Sequence, residues 1–380
     1  DQDTEIFTSQ ADYYLPINDL STFEIGAKFS DVTTNSVIKH YDIINNLPVK
    51  DPAKNDVFNY NEKVFAGYIS FDKSWEKWSL STGIRAEQTN IEARSQSVNE
   101  NNNQNYLEWF PTLNLGYRTS EKLNIYANYK RSLQRPNYSN INPFRYYLND
   151  NAYVTGNPEL KPIFTNQYKL GLSINNIFVI ETYYKKYKNN IFQIPIQNNN
   201  SNTIAYSSVN INYTEEIGFD IEAYVDVNDK WSMYVGSSFY NYKDNATLFN
   251  EVISKSTWSN YTIFSNDFSF LKDNSLVANL ALTYMHKNVQ GLQVVDSRLA
   301  SDMSIRKTLF KGKGSLSLLI SDLFNQQDFY WTTKFADQDN TTKVNLDNRY
   351  IRLGFRYKFG NTKLSTNERT SSVQERERLE

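Results

Sequence analysis

Residues 217–226 read Ile-Gly-Phe-Asp-Ile-Glu-Ala-Tyr-Val-Asp. Ile217, Phe219, Ile221, Ala223 and Val225 alternate with Gly218, Asp220, Glu222, Tyr224 and Asp226. Successive side chains of an extended strand point to opposite faces, so this stretch predicts a strand with one greasy and one charged face. The same period of two recurs along nearly the whole chain. Leu276, Ala278, Leu280, Leu282 and Tyr284 oppose Val277, Asn279, Ala281 and Thr283, and Trp78, Leu80, Thr82, Ile84 and Ala86 oppose Ser79, Ser81, Gly83, Arg85 and Glu87.

A soluble β-sandwich shows the same alternation, with a dry core on one face and water on the other. Strand length and connection length separate the two. Many runs here extend for about 12 residues or more, where a globular strand has about 5 or 6. Aromatic residues gather at their ends, as at Trp75 and Trp78, Trp109 and Phe110, and Tyr357 and Phe359, in the manner of interfacial girdles. Connections alternate in length. Tight ones are expected near 17–19, 72–77, 119–121, 175–176, 227–230, 272–274 and 310–313. Long ones are expected near 35–56, 95–106, 134–164, 194–213, 244–257 and 325–345, with a shorter one near 286–291. Outer-membrane barrels pair short periplasmic turns with longer extracellular loops, so the alternation assigns sidedness.

Composition agrees. The 380 residues are 39% hydrophobic but 15% aromatic, with 28 Tyr and 23 Phe, and the mean hydropathy is −0.62. No stretch approaches the roughly 18 consecutive apolar residues of a transmembrane helix, whereas a barrel strand needs only about 9–11 with one apolar face. A low mean hydropathy is therefore compatible with a membrane-spanning barrel. The absence of cysteine removes disulfides, thiolate metal sites and cysteine nucleophiles. A net charge of −2 supplies no basic surface for nucleic acid.

The expected fold class is all-β, a transmembrane antiparallel β-barrel. About fifteen strands are predicted, from one near 4–14 to one near 350–359. If the last strand ends in the periplasm, an odd count starts the chain outside the cell, while complete bacterial barrels have an even number of strands. The chain therefore reads as the C-terminal part of a larger barrel. It divides into a barrel region, 1–360, and a polar, non-alternating periplasmic tail, 361–380, expected to be disordered.

Seven short segments carry a family resemblance. Arg135-Pro136-Asn137-Tyr138, then Asn142-Pro143-Phe144, then Gly156-Asn157-Pro158-Glu159-Leu160-Lys161-Pro162 resemble the loop between two strands of TonB-dependent receptor barrels. Asp322-Leu323-Phe324-Asn325 and Tyr357-Lys358-Phe359-Gly360 resemble their closing strands. Gln10-Ala11-Asp12-Tyr13 and Gly26-Ala27-Lys28-Phe29 are similar to the Bacteroidetes-type outer-membrane β-barrel family. The resemblance implies a plugged barrel of about 22 strands, with roughly seven upstream of residue 1. It also implies an outer-membrane location, active nutrient uptake (a siderophore, glycan or peptide), an inner-membrane TonB motor acting through a plug and TonB box outside this sequence, and, for a glycan importer, a surface lipoprotein. A scaffold or assembly role for a barrel of the same family, or a passive porin, are the alternatives. The loop prolines have a purely structural reading as well, since they fix φ and remove donors outside strand interiors.

No enzyme, cofactor or metal site is expected. His40 and His286 are the 2 histidines and neither has ligand-spaced partners. The Gly312 and Gly314 pair falls in a short turn rather than between a strand and a helix, so it is no phosphate loop. Function is assigned to the polar face: Arg85, Glu87, Asn124, Asn128, Lys130, Asp220 and Glu222, with Arg352 and Arg356, are expected to face the lumen. A lipid-facing Arg or Lys at mid-bilayer costs about 2–4 kcal/mol. The stretches 99–105 and 198–202, rich in Asn, are expected to be solvated loop tips. The loop aromatics Tyr146, Tyr147, Tyr153, Phe329, Tyr330 and Trp331 are candidates for stacking on a ligand or for packing loop on loop.

Overall fold

The computed structural model describes residues 2–50, 55–96, 100–359 and 377–378. One antiparallel sheet of fifteen strands dominates, each strand paired with its neighbours in chain order. They are β1 (Gln2–Asn18), β2 (Ser21–Ile38), β3 (Asp56–Ser74), β4 (Trp78–Ser95), β5 (Glu100–Ser120), β6 (Leu123–Gln134), β7 (Ile163–Ile174) and β8 (Phe178–Lys188). After these come β9 (Tyr213–Asn228), β10 (Trp231–Leu248), β11 (Glu251–Phe270), β12 (Leu276–Met285), β13 (Arg298–Leu309), β14 (Gly314–Ile320) and β15 (Ile351–Tyr357). Most of them, up to the 21 residues of β5, are far longer than the few residues a soluble sheet uses, whereas β14 and β15 have 7 each.

Register turns the sequence alternation into two faces. Tyr68 lies opposite Arg85, which lies opposite Phe110; Asn128 lies opposite Asn114 and Lys169; Asp220 lies opposite Glu181 and Ser238. All of these belong to one parity, the inner face. The other parity leaves apolar side chains uncovered: Leu170 is 55% exposed, Ile217 51% and Trp109 51%, with Phe219, Leu113 and Phe355 beside them on the same surface. Monomeric soluble proteins rarely show an apolar patch of such extent. In a bilayer that band meets hydrocarbon, and the strand pairing satisfies the backbone internally.

The tight turns fall where alternation predicted them. Asn175 and Asn176 both take positive φ, 54° and 56°, between β7 and β8. Asn tolerates that region, and paired positive φ values make the two-residue turn whose twist matches a hairpin.

The opposite ends differ from the expectation of open loops. The segment expected as a loop over 95–106 is mostly strand: Asn101–Asn105 pair with Asn90–Arg94 of β4. The loop expected over 244–257 reduces to a turn at Phe249 and Asn250 because β10 and β11 pair out to Leu248 and Glu251. Polar strands that project beyond the membrane lack the apolar alternation that marks a strand, yet their ladder hydrogen bonds continue. Other loops are hairpins themselves. Ile191–Asn198 pairs with Thr203–Asn210, which runs parallel to Ala152–Thr155, itself paired with Tyr146–Asn149. Asn288–Gln290, Gln293–Val295, Phe329–Phe335 and Gln338–Val344 make a second four-stranded sheet, and Tyr41–Ile44 with Leu47–Lys50 a lone hairpin.

Two apolar clusters fix these loops. Tyr138, Ile141, Phe144 and Leu160, from the segment joining β6 to β7, pack on Phe58, Tyr60, Ile91 and Ala93 of the inner face. Ile194, Ile211, Ala246, Ile253, Leu292 and Phe335 join the two loop sheets to the projecting ends of β10 and β11. The loops thus fold inward and onto one another.

Candidate functional site

The inner face is organised around buried ion pairs. Glu62 of β3 and Glu87 of β4 flank Arg135, the first residue after β6. Arg135 Nη2 donates to Glu87 Oε2 at 2.8 Å and to Thr89 Oγ1 at 2.9 Å, and its Nε stands 3.8 Å from Glu62 Oε2. Arg85 Nε donates to the other Glu87 oxygen at 2.7 Å, and Tyr60 Oη to Glu62 Oε2 at 2.7 Å. Arg378 completes the group: its Nη1 and Nη2 donate to the two Glu62 oxygens at 2.6 and 3.0 Å, and its carbonyl accepts from the Tyr138 amide at 3.0 Å. Burial opposes the charge of Arg378, but the Glu62 carboxylate outweighs it and holds the guanidinium above its ordinary pKa. A cavity of about 320 Å³ opens beside the cluster, bordered by Lys28, Ser30, Leu133 and Asn137.

Polar pairing continues around the face. Glu181 accepts from Lys169 Nζ and from Tyr126 Oη, each at 2.8 Å, and Glu216 accepts from Tyr187 Oη at 2.9 Å and from Lys185 Nζ at 3.2 Å. Tyr126 lies across Gly171, where a Cβ would sit 2.4 Å from its ring. Only glycine there lets the ring lie flat and reach Glu181.

Between β5 and β6 the wall parts. Their pairing stops at Thr112 and Lys130, while β5 continues along β4 as far as Glu100. Arg131 Nη2 bridges the gap to Glu108 Oε2 at 2.6 Å. The returning segment fills the opening, with the Asn102 carboxamide donating to the Pro158 carbonyl and Gln104 Nε2 to the Leu160 carbonyl at 3.0 Å. A cleft of about 660 Å³ remains there, lined by Asn103, Tyr106, Lys161, Phe164 and Asn189 among others. A further cavity of about 410 Å³ lies under the second loop sheet, bordered by Gln293, Val295, Arg298, Phe329, Trp331 and Val344.

Every lumen candidate from the sequence falls on the inner parity. Arg85 and Glu87 enter the buried cluster. Asn128 Nδ2 donates to Asn114 Oδ1 at 2.8 Å, and Lys130 borders a cavity with Arg131 and Arg135. Asn124 lies opposite Arg118 and Ser173 near the tight-turn end of the wall. Asp220 has one buried oxygen with no hydrogen-bond partner among the described residues, and Glu222 lies opposite Val179 and Gly236. Arg352 and Arg356 oppose Leu319 and Ser315. Arg85, Glu87 and Lys130 thus border one cavity of about 370 Å³, while the other candidates are spread along the surface. Of the aromatics, Tyr146 and Tyr330 are exposed, Tyr147 packs 5.8 Å from Tyr153, and Phe329 and Trp331 wall the cavity under the second loop sheet.

Sequence reading missed Glu62, Arg135 as a charge partner, Arg298 and Arg378. Glu62 was findable, since it shares the parity of Phe58, Tyr60 and Val64 and a carboxylate among apolar neighbours needs a partner. Residues 360–376 and 379–380 of the tail region lie outside the described residues. Among the described residues no three His, Cys, Asp or Glu side chains gather as a metal site. His286 Nδ1 instead lies 3.0 Å from Tyr284 Oη.

Comparison with known proteins agrees with this architecture. The sequence profile described as the outer membrane protein beta-barrel family matches residues 1–357. No curated protein matches the sequence. Among solved structures, the ferric yersiniabactin uptake receptor FyuA of Yersinia pestis superposes with a TM-score of 0.63 at 12% identity, over 94% of this chain and 55% of that one. The ferric-catecholate import receptor Fiu of E. coli K12 gives 0.63 at 13%, over 94% and 55%. The copper transporter OprC gives 0.67 at 11%, over 94% and 57%. At such identities the likeness is one of fold, and the chain spans a little over half the length of each. With a profile match over nearly its whole length and a lipid-facing apolar band on an antiparallel fifteen-stranded wall, this chain belongs to the outer membrane protein beta-barrel family.

Proposed function

We propose that the chain forms the larger part of the wall of an outer-membrane active transporter of the TonB-dependent kind. In this reading further strands join β1 to β15, a plug fills the lumen, and the inner-membrane motor displaces it to admit a captured nutrient. The observation that carries the reading is the buried Glu62, Glu87 and Arg135 network. Both carboxylates are closed over by this chain's own Arg135, Arg85 and Arg378 and by the inward-folded segment beside them, so the loop-bearing end of the lumen holds protein rather than an open aqueous channel. Inward-folded loops with their own apolar core add to it, since they cap the mouth and leave cavities lined for a ligand. The uptake and import receptors of like fold support inward transport, and the copper transporter a transport role, but none of them the substrate.

The test is growth and uptake in a deletion strain against its parent, with iron, copper or a glycan made scarce in turn, and with a protonophore added. Loss of energy-dependent accumulation for one nutrient supports the proposal. Uptake that persists without the proton gradient, together with a steady open conductance of the purified protein in planar bilayers, would instead identify a passive porin.

A further inference from the structure

β5 outruns one of its neighbours. It pairs with β4 from Tyr117 back to Glu100, but with β6 only as far as Thr112 and Lys130. Pro111 accounts for the halt. Proline has no amide hydrogen and is confined to strand edges, so the ladder toward β6 does not continue past it. Pro111 stays in register with Ile84 of β4, and its nitrogen therefore faces away from β4. In an antiparallel pair, residues that bond to one neighbour alternate with residues that do not. The backbone groups of Asn101, Asn103, Asn105, Leu107 and Trp109 thus point, like Pro111, to the side that β6 has left.

Nothing on that side completes the ladder. Among the described residues, the returning segment meets β5 through side chains, the Asn102 and Gln104 carboxamides on the Pro158 and Leu160 carbonyls, and no backbone hydrogen bond crosses to it from 101–109. Pro158 and Pro162 lack amide hydrogens, and the Lys161 amide donates to Asn210 Oδ1 at 2.8 Å. An open strand edge is a template for another strand, and proteins usually blunt such edges with charge. This one reads Asn-Asn-Asn-Gln-Asn-Tyr-Leu over 101–107, uncharged on both faces. The cleft of about 660 Å³ beside it lies within the roughly 300–1,000 Å³ usual for small-ligand sites. Pro162, Phe164 and Asn189 close its far side. A slot walled on both sides admits one extended chain rather than the edge of a folded domain.

We propose that this slot binds a free, extended peptide with uncharged side chains, which adds as a strand to the edge of β5 and hydrogen-bonds to the backbones of Asn101, Asn103 and Asn105. The site goes beyond the uptake reading, and binding is measured apart from transport.

The test uses the intact protein in detergent micelles and a capped octapeptide of serine and threonine carrying a fluorophore, read by fluorescence anisotropy. The same peptide N-methylated at every residue keeps its side chains but has no amide donors, and is expected to bind about tenfold or more weakly. Asn103→Pro and Asn105→Pro remove cleft-facing amides in the phase that Pro111 already occupies, leaving the ladder to β4 intact. Each should weaken binding about three- to tenfold, the scale of one backbone hydrogen bond, and the two together more. Asn103→Ala and Asn105→Ala remove carboxamides but no backbone group, and should stay within about twofold of wild type. Heat-modifiable migration reads the folded barrel in each variant; where a proline variant fails to fold, the N-methylated peptide on the wild-type protein decides alone. Equal binding of the two peptides, wild-type affinity in a folded double proline variant, or no binding of the octapeptide overturns the proposal. A cross-linked dimer of the wild type that the double proline variant loses would assign the edge to a second copy of the chain and overturn it as well.

Discussion

Arg135 is held from three sides, by Glu87, Thr89 and Glu62, with 9% of its side chain exposed against 2% for Glu62. Removing one partner of a buried pair leaves the other charge without compensation, at a cost of about 3–5 kcal/mol. Arg135→Met is therefore expected to lower the urea midpoint of the purified barrel markedly, while the double variant Arg135→Met with Glu87→Gln recovers part of the loss. A single variant indistinguishable from wild type would mean that the cluster is hydrated. Arg85 and Glu87 were legible in the sequence because two charges two residues apart in an alternating run must share the polar face. Arg135 is legible as part of its motif but not as a charge partner, since nothing local to Arg-Pro-Asn-Tyr indicates that β3 and β4 bring carboxylates to it. Arg378 lies far along the chain in a stretch without alternation, and its contact with Glu62 is a tertiary fact that no local pattern encodes.

At the scale of elements, the two faces of each strand make opposite demands. Leu170, on the outer parity of β7, should not accept a charge: Leu170→Arg is expected to cost about 2–4 kcal/mol at mid-bilayer depth and to reduce folded barrel in the outer membrane. Asn128→Arg, on the inner parity of β6, should assemble at wild-type levels, and immunoblots of heat-modifiable folded protein compare the two. Equal yields would place Leu170 away from lipid. The loop hairpins answer to their own core. Leu292 is fully buried between the two loop sheets, and truncating such a side chain costs about 2–5 kcal/mol. Leu292→Ala should open the 288–295 hairpin to protease added outside cells without altering the migration of the barrel. Membrane-spanning segments and tight turns could be read from the sequence because lipid imposes strict alternation and such turns need residues such as Asn175 and Asn176. The projecting strand ends could not, because Asn101–Asn105 carry polar side chains on both faces and only their register with β4 reveals a strand.

For the molecule as a whole, β1 and β15 are edges: each pairs with a single neighbour, β2 and β14 respectively. Unpaired strand edges are untenable in hydrocarbon, so the reading as part of a larger barrel places additional strands between them. The count of about fifteen strands expected from the sequence matches the fifteen-stranded sheet, and it was legible because alternating runs are separated by recognisable connections. What the wall admits was not legible, because selectivity lies in how loop hairpins from distant segments meet, as Gln197 and Gln338 do through paired backbone and side-chain hydrogen bonds.

The most direct test of the account exploits the absence of native cysteine. Single cysteines placed at each position from 217 to 226 in β9, spin-labelled in the protein reconstituted into lipid bilayers, report accessibility to molecular oxygen, which concentrates in hydrocarbon. A period of two is expected, with maxima at 217, 219, 221, 223 and 225 and minima at the positions between them. A profile without that period, or one with its maxima at Asp220 and Glu222, would contradict a membrane-embedded barrel wall.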